Sequence, residues 1–271
     1  MILITGGTGY LSGLVAQYFY EKGYLVRIGT RNKDLVCKEL NSKIEVVDLD
    51  LLSQESINSA LKNISTLFHF ASMNYEDCRN DPMQARLINE ECTKKILNAS
   101  INENLKKIIY FSTMHIYGTS LEGKVTEQIL PEPQSIYGKT HLNAEKIVEE
   151  ISMKNNIEYL ILRLSNVSSA PLSPSVKCWH LVIHDLCLQA VKNKHIKLRT
   201  TGDQYRDFIH IKMLNETLYY FLNNSGLSGI YNFGSGNSIR IKEVAKIIQS
   251  EFEKIYSITP EIFFGKEKLN E

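Results

Sequence analysis

A glycine-rich turn near the start of the chain constrains the fold more than any other feature. The apolar run Met1–Ile4 has the character of a short buried strand, and it ends in Thr5-Gly6-Gly7-Thr8-Gly9. Apolar residues then recur at helical spacing through Tyr10, Leu14 and Tyr18. A strand, a glycine turn and a helix form the context of a dinucleotide fingerprint, since glycine lets the backbone approach a pyrophosphate. The residues expected to contact its phosphates are Gly6, Thr8, Gly9, Tyr10 and Leu11.

One position of this turn departs from the usual pattern. Ser12 stands where the third glycine is expected. That position mainly serves close packing of helix against strand. Serine is small enough to be tolerated there.

Downstream of the turn, apolar strands alternate with helical patterns. The predicted strands are 24–30, 44–47, 66–70, 107–112 and 158–164, and the predicted helices are 54–61, 82–102 and 137–154. This alternation predicts an α/β Rossmann-type fold, a doubly wound parallel sheet with helices on both faces. We place the dinucleotide-binding domain at 1–165. We expect 166–271 to complete the sheet and to form a small C-terminal substrate-binding lobe.

Composition and charge narrow the classes of function. Lys and Arg number 31 and Asp and Glu number 30, and this balance argues against a nucleic-acid binder that works by bulk electrostatics. Five scattered cysteines without a CxxC pair argue against a disulfide framework and against a metal site. We find no signal peptide and no apolar run of membrane-spanning length, so we expect a cytoplasmic protein without membrane contact.

Residues after the second and third strands bear on the choice of cofactor, because ligands of such sheets bind at the carboxyl ends of the strands. Thr30 occupies the place where an acidic residue would bind the adenosine ribose of NAD, and Arg31 follows it. An arginine can pair with a 2′-phosphate, which favours NADP(H) and leaves NAD(H) possible. Arg31 is alternatively a solvated surface charge. Asp48 and Leu49 are candidates for contact with adenine, although Asp48 is equally explained as an exposed loop residue.

Residues after the fourth and fifth strands supply candidate chemistry. Phe70, Ala71 and Ser72 follow the fourth strand and would let a cofactor lie close. The fifth strand runs into Thr113, and Tyr137 opens a later helix. A tyrosine that exchanges a proton with a substrate oxygen, beside a hydroxyl that holds that oxygen, forms a proton-transfer pair.

Taken together, these residues resemble the extended short-chain dehydrogenases/reductases of the nucleotide-sugar epimerase/dehydratase group. The order and spacing of several segments carry the resemblance: the glycine turn, His69–Ser72, Asn89, Thr113, Tyr137, Leu162–Asn166, Arg206–Ile211 and Tyr231–Gly236. It implies that a hydride passes between a nicotinamide and a sugar carbon, with Thr113 and Tyr137 as the catalytic pair.

The same resemblance assigns further roles. It implies that Asn89 lies in the cofactor site, that Arg206 contacts the nucleotide diphosphate, and that Asn166 lies near the sugar or its phosphate. It also places Ser72, Met114 and His115 with Thr113 at the substrate. In such folds, helices 82–102 and 137–154 commonly pair between two chains, so we expect a homodimer.

Two departures from the family pattern affect the mechanism. His141 stands where the pattern has a lysine one helical turn after the catalytic tyrosine. Histidine can still bind the nicotinamide ribose, but it is neutral over much of the physiological range, so Tyr137 should be a weaker base and a more persistent acid. The positive charge of the family lysine lowers the pKa of the catalytic tyrosine. Lys139 or Lys146 is an alternative source of that charge here.

The second departure is Met114-His115, where dehydratases of the family have an acid pair. Methionine cannot move protons, so the usual route of dehydration is not expected. His115 is either an unusual acid or base beside the sugar or, more commonly for a lone histidine, a structural residue. His210 is expected to be structural.

Beyond the sixth strand the alternation becomes irregular. Residues 168–175 read as a loop, and 176–192 reads as an amphipathic helix in which Trp179 and His180 are either substrate contacts or packing residues. Short strands are predicted at 196–198 and 231–233, and a terminal helix at 241–254. The C-terminal lobe is short for the family, so we expect an open pocket or one completed by a partner.

The sequence therefore predicts an NAD(P)-dependent oxidoreductase acting on a nucleotide-activated sugar. Our leading interpretation is reduction of a keto-sugar, with Tyr137 as the acid and Thr113 orienting the carbonyl. One alternative is an epimerase that retains NAD. Another is a non-catalytic dinucleotide-binding sensor or scaffold.

Overall fold

The computed structural model describes residues 1–118 and 123–266, apart from the side chain of Glu39. The end of the predicted C-terminal segment, 267–271, lies outside the described residues. The chain divides into two compact units. The first contains Met1–Ser165 and Ile211–Phe233, and the second contains Asn166–His210 and the described part of Gly234–Glu271.

The first unit is built on a seven-stranded parallel sheet. With strands numbered along the whole chain, it contains β1 (Ile2–Thr5), β2 (Val26–Thr30), β3 (Glu45–Asp48), β4 (Thr66–His69), β5 (Lys107–Thr113), β6 (Glu158–Leu164) and β10 (Gly229–Phe233). Their order is β3-β2-β1-β4-β5-β6-β10. The order reverses between β1 and β4, and this switch point is where such sheets bind ligands. The predicted Rossmann-type fold is confirmed.

Helices cover both faces of this sheet. One face packs against α3 (Gln54–Leu61), α6 (Cys92–Ile101) and α7 (Ile136–Lys154), whose apolar residues share a core with β1, β4, β5 and β6. On the other face, α1 (Tyr10–Glu21) packs beside α9 (Ile211–Asn223), and Phe19 of α1 meets Phe68 edge to face. Shorter helices are α2 (Lys38–Asn41), α4 (Tyr75–Asn80) and α5 (Pro82–Arg86).

The helix predicted at 82–102 is not continuous. It begins at Pro82 as α5, passes through a π-helical segment, Leu87–Glu91, and continues as α6 to Ile101. A π segment widens the backbone spiral locally, and such segments are frequent at functional sites. Asn89 lies within it and is buried. Hydrophobic periodicity does not reveal one extra residue in a turn, so this feature was not predictable.

The second unit contains two small sheets and two helices. Strand β9 (Tyr205–His210) lies between β7 (Asn166–Ser168) and β11 (Ser238–Arg240), and β8 (His195–Lys197) pairs with β12 (Glu261–Phe263). Helices α8 (Val182–Asn193) and α10 (Ile241–Tyr256) complete it. Their apolar faces bury a core that includes Leu186, Ala190, Ile196, Val244 and Phe252.

The helix predicted at 176–192 begins at Val182, so its predicted start was wrong. The indole Nε1–H of Trp179 donates to the carbonyl of Pro174 at 2.9 Å, and the hydroxyls of Ser173 and Ser175 lie 3.0 Å apart. The Trp179 bond and a bond from the backbone N–H of Ser175 to the hydroxyl of Ser173, at 3.4 Å, satisfy backbone groups in turns instead of a helix. Trp179 is therefore a residue that holds this turn, and His180 is exposed beside it.

The part of the chain that the structure describes contains no disulfide, no membrane-spanning helix and no cluster of metal-binding side chains. It includes all five cysteines, and each is a free thiol. None of its helices is both long enough and apolar enough to cross a bilayer. It contains no group of three or more His, Cys, Asp and Glu side chains that could hold a metal ion.

A buried ion pair anchors α7 to the sheet. Glu145 on α7 is 1% exposed and accepts hydrogen bonds from Arg163 Nη2 on β6 at 2.8 Å and from the hydroxyl of Ser112 on β5. Arg163 Nη1 also donates to the hydroxyl of Tyr117 at 2.6 Å, and that hydroxyl donates to Asn232 of β10 at 2.8 Å. These bonds fix the position of α7 relative to three strands.

We predict that Glu145→Gln lowers the free energy of unfolding by about 3–5 kcal/mol, because a buried guanidinium then loses its counter-charge. Glu76→Gln is the matched control, since Glu76 pairs with Arg79 on the surface and that pair should contribute little. Urea unfolding of both variants measures the difference. A loss for Glu145→Gln no larger than that of the control would contradict the anchoring role.

Candidate active site

The glycine turn forms a cradle that side chains would fill. Gly6 has φ +68°, and a Cβ built on it would lie 3.1 Å from the backbone of Ala71. A Cβ on Gly7 would lie 1.9 Å from the side chain of Ile28. Ser12, in the place of the third glycine, is 1% exposed, and its hydroxyl donates to the carbonyl of Gly6 at 2.6 Å. Serine therefore stabilises the turn at this position.

The same turn presents the N-terminus of α1. Gly9 is the residue that precedes the helix, and it supplies no side-chain cap. The first N–H groups of a helix need acceptors, and together with the helix dipole they favour an anion. Thr8, Tyr10 and Leu11 are half-buried around this end of the helix.

At the end of β2, the candidates for adenosine contact have different surroundings. The Thr30 hydroxyl accepts the backbone N–H of Asn32 at 3.2 Å, whereas Arg31 is exposed and has no ion pair among the described residues. Asp48 is exposed and pairs with Lys33 at 2.7 Å. Leu49 is 3% exposed, packs in the core, and donates its backbone N–H to the carbonyl of Thr30 at 2.9 Å. Arg31 is therefore the cation at this edge that is open to a ligand.

The candidates after β4 border the cradle. The Phe70 ring stacks on Phe111, with centroids 3.5 Å apart, and Ala71 approaches Gly6. The backbone N–H of Ala71 donates to the hydroxyl of Thr5 at 3.0 Å. Ser72 is exposed at the end of this segment.

A fully buried polar chain ties these strand ends to α7. The hydroxyl of Thr93 donates to the carbonyl of Asn89 at 2.8 Å, so it must accept from His69 Nε2, 3.0 Å away. His69 Nδ1 is then the acceptor for the hydroxyl of Thr5 at 2.9 Å. Burial lowers the pKa of His69 to about 4, which keeps the ring neutral as this assignment requires.

Asn89 extends this hydrogen-bonded network from the π segment to α7. Its Oδ1 accepts the backbone N–H of Met73 at 2.8 Å, and its Nδ2 donates to the hydroxyl of Thr140 at 2.9 Å. That hydroxyl donates to the carbonyl of Tyr137 at 3.1 Å. Asn89 thus fixes the backbone that carries Tyr137, and the family resemblance did not specify this contact.

The structure brings Tyr137 and Thr113 together. The Thr113 hydroxyl accepts the backbone N–H of His115 at 3.2 Å and forms a hydrogen bond with Tyr137. Burial raises the pKa of Tyr137 to about 12, and the hydrogen bond from Thr113 partly offsets this rise because it stabilises the phenolate. Tyr137 therefore holds its proton at physiological pH.

His141 lies one helical turn after Tyr137, on the same face of α7. Its ring is 1% exposed and meets the Tyr137 ring at 4.5 Å between centroids. Burial, reinforced by the nearby His115 and His69, lowers the pKa of His141 to about 3. The ring is neutral across the physiological range. Lys139 and Lys146, the alternative cations, are exposed on α7.

The expected substrate residues divide between the two units. In the first unit, His115 is exposed next to half-buried Met114, and its ring lies 5.6 Å from that of Tyr137. In the second unit, Asn166 is exposed and donates to the carbonyl of Asp207 at 2.8 Å, and exposed Arg206 donates to the carbonyl of Tyr205 at 2.8 Å.

Two residues beside Tyr137 were not predicted from the sequence. A Cβ on Gly138 would lie 2.6 Å from the carbonyl oxygen of His115, so only glycine permits this approach of α7. Tyr75, at the start of α4, is 42% exposed, and its ring lies 5.6 Å from His115 and 6.0 Å from Tyr137. The Tyr137-Gly138 pair was a visible signal for the first, whereas nothing in the sequence marked Tyr75.

The residues present fit a dinucleotide. The cradle at Gly6 and Gly7 has room only for backbone, and the N-terminus of α1 suits a phosphate. His141 Nε2 is buried and has no hydrogen-bond partner among the described residues, which is the condition of an atom that awaits a ligand. Tyr137 lies on the same face of α7 as His141, and Thr113 lies at the end of β5.

This combination of fold and site defines a dinucleotide-binding enzyme of the Rossmann type. The chain belongs to the NAD dependent epimerase/dehydratase family, whose model matches residues 2–234. Its members are enzymes of the extended short-chain dehydrogenase/reductase type, and a nicotinamide dinucleotide is their cofactor.

Relatives and solved structures agree with this assignment. A UDP-glucose 4-epimerase from Halalkalibacterium halodurans is 25% identical over 91% of this chain and 78% of its own length. A putative UDP-glucose 4-epimerase from Methanocaldococcus jannaschii is 28% identical over 93% of this chain and 82% of its own length. The structure of UDP-glucuronic acid 4-epimerase from Bacillus cereus, in complex with UDP-glucuronic acid and NAD, is 25% identical. It superimposes with a TM-score of 0.81 over 98% of this chain and 86% of its own.

We predict that Gly138→Ala lowers kcat by about 10²-fold. The added methyl group would clash with the carbonyl oxygen of His115 and move α7, so that Tyr137 shifts away from Thr113 by about 1 Å. Lys139→Ala, an exposed neighbour on the same helix, is the control. Steady-state kinetics and the thermal unfolding midpoint are measured together. An unchanged kcat in a folded Gly138→Ala protein would show that the close approach has no catalytic role.

Proposed function

We propose that this protein is an epimerase of a nucleotide-activated sugar that retains NAD through its catalytic cycle. The observation that carries the proposal is the hydrogen-bonded pair of Tyr137 and Thr113 beside a cradle that fits a dinucleotide. The names of its relatives support the same reaction, since several of them are 4-epimerases of UDP-sugars. A UDP-hexose or UDP-hexuronic acid is accordingly the substrate class to test first.

The pair supplies the proton chemistry that such a reaction needs. Epimerisation through a ketone removes a proton from a sugar hydroxyl and later returns one to the same oxygen, with no net oxidation. Tyr137 takes this proton and gives it back, while the hydroxyl of Thr113 holds the oxygen in place. The bound dinucleotide supplies the hydride acceptor and donor.

Dehydration is less well supported by the side chains near Tyr137. Elimination of water needs an additional acid and base at the sugar. Met114 cannot provide either function, and His115 alone is exposed next to it. Epimerisation needs only the pair of Tyr137 and Thr113.

Reduction of a keto-sugar with NADPH is the second candidate, and two observations favour it. The neutral His141 leaves Tyr137 protonated, which suits an acid that donates to a carbonyl oxygen. Arg31 is an exposed guanidinium beside Thr30, and no acidic side chain pairs with it among the described residues. Such a group can bind the 2′-phosphate of NADP(H).

The pH dependence of the rate separates the two reactions. Because the pKa of Tyr137 is raised to about 12, the phenolate is a small fraction that grows about tenfold per pH unit below that value. We predict that epimerisation, which needs Tyr137 to take a proton first, accelerates about tenfold per unit between pH 7 and 9. Ketone reduction, which needs the phenol, should not vary over that range.

Tyr137→Phe is the test variant, and we expect a loss of 10²–10⁴-fold or more in kcat with the dinucleotide still bound. The assay follows conversion of UDP-glucose and UDP-glucuronic acid to their epimers by NMR, and oxidation of NADPH with keto-sugar nucleotides. The matched control is Tyr159→Phe, which removes a hydroxyl bonded to Glu149. If wild type and Tyr137→Phe bind dinucleotide equally and neither turns over any sugar, the non-catalytic sensor interpretation replaces the enzyme.

The contribution of Arg31 is tested through cofactor binding. We predict that Arg31→Gln weakens NADPH binding by about tenfold, because a charge-assisted hydrogen bond to phosphate is lost, and leaves NADH binding unchanged. Fluorescence titration of both cofactors measures this, with Lys33→Gln as the control because Lys33 is already paired with Asp48. Equal effects on NADH and NADPH would remove the 2′-phosphate contact from the proposal.

The homodimer stays a prediction of the family resemblance. Outward positions of α6 and α7 carry polar and charged side chains, including Lys94, Lys95, Asn98, Asn143, Lys146 and Glu150. An interface formed by these helices would therefore have to be more polar than the core of a typical homodimer interface.

A further inference from the structure

The two ring nitrogens of His141 have different surroundings. Its Nδ1 lies 2.9 Å from the hydroxyl of Tyr110 on β5, and both side chains are 1% exposed. Its Nε2 is buried without a partner among the described residues. A neutral imidazole carries one proton, on either Nδ1 or Nε2. The chemistry that this residue offers a ligand depends on which nitrogen carries it.

The two tautomers differ in how many buried donors and acceptors of Tyr110 and His141 are left without a hydrogen bond. Among the described residues, His141 Nδ1 is the one partner of the Tyr110 hydroxyl. If Tyr110 donates to Nδ1, the histidine proton is on Nε2, and one donor is left for a ligand. If Nδ1 donates to Tyr110, the tyrosine proton and the lone pair of Nε2 are both left unpaired in the interior. A buried unpaired polar group is costly, so the first arrangement is favoured.

The position of Tyr110 is itself constrained. Its ring stacks on His69 at 6.0 Å with an angle of 30°, and hydrogen bonds to Thr5 and Thr93 hold His69 from both sides. Burial raises the pKa of Tyr110 well above its ordinary value, so its hydroxyl remains a donor. The hydroxyl cannot rotate toward water, since water does not reach it.

We propose that Tyr110 is a positioning residue that fixes His141 in the tautomer with its proton on Nε2, so that a neutral histidine offers a permanent N–H donor to a ribose hydroxyl oxygen of the nicotinamide nucleotide. The ribose contact rests on the proposed function. The assignment of the tautomer does not, because it depends only on the side chains of the protein. Tyr110 acts through His141 and touches no reacting atom.

The test begins with the tautomer in the cofactor-free protein. Long-range ¹H–¹⁵N correlation spectra of ¹⁵N-histidine protein distinguish a protonated ring nitrogen from an unprotonated one, and His141→Gln identifies the signals of His141. We expect Nε2 to be protonated and Nδ1 unprotonated in wild type. In Tyr110→Phe we expect averaged shifts that report both tautomers. Tyr159→Phe serves as the control for loss of a hydroxyl elsewhere.

Binding provides the second readout. Tyr110→Phe should weaken NADH and NADPH binding by about fivefold each, the effect of one neutral hydrogen bond, whereas Tyr159→Phe should not change either affinity. Because the tautomer in wild type needs no variant at position 110, the proposal stays testable even if Tyr110→Phe does not fold.

Three results would overturn the proposal or part of it. A proton on Nδ1 in wild type would overturn the assignment. An unchanged Nε2–H tautomer in Tyr110→Phe would overturn the role of Tyr110. If the tautomer is as expected but neither dinucleotide binds to wild type, the ribose contact and the proposed function both fail, while the positioning of His141 by Tyr110 stands.

Discussion

The site depends on the bond that holds α7 against the sheet. Tyr137, His141 and Glu145 are spaced by one helical turn each, so they share the face that meets β5 and β6. Glu145 is the charged member of this row, and its pairing with Arg163 and Ser112 fixes the rotation of the helix. A carboxylate this deeply buried is tolerated only when paired, so the helix has one acceptable register. That register places Tyr137 beside Thr113 and His141 beside Tyr110.

The second constraint is that the side chain one helical turn after Tyr137, His141, carries no positive charge. The family pattern has a lysine at the position of His141, and a fixed charge there would favour the phenolate. Here the buried ring of His141 is neutral. The phenolate form of Tyr137 is stabilised by a hydrogen bond from the hydroxyl of Thr113 instead, and the hydroxyl of Tyr110 bonds to His141. A hydrogen bond from a neutral donor shifts a pKa less than a nearby full charge does. The chain therefore combines an intact proton-transfer pair with a tyrosine that strongly retains its proton.

Much of the fold could be predicted from the sequence, because strands of the parallel sheet are continuous apolar runs and the glycine turn has a specific context. The ends of β5 and the start of α7 followed from the same patterns, which is why Thr113 and Tyr137 could be named. Other features depend on contacts between distant residues. The π segment at Asn89, the approach of Gly138 to His115 and the bond of Tyr110 to His141 leave no periodic signal. The late start of α8 was mispredicted because the bond from Trp179 to Pro174 competes with helical propensity.

The most direct test of the account is the identity of the small molecules released when the purified protein is denatured. We predict release of a nicotinamide dinucleotide, held by the cradle at Gly6 and by His141. If the enzyme is an epimerase, the released dinucleotide is NAD, at near one molecule per chain. Keto-sugar reduction would be favoured by release of NADP(H). It would also be favoured if the protein releases no dinucleotide but binds NADPH on titration. A protein that releases no dinucleotide and binds neither NADH nor NADPH on titration would contradict the account.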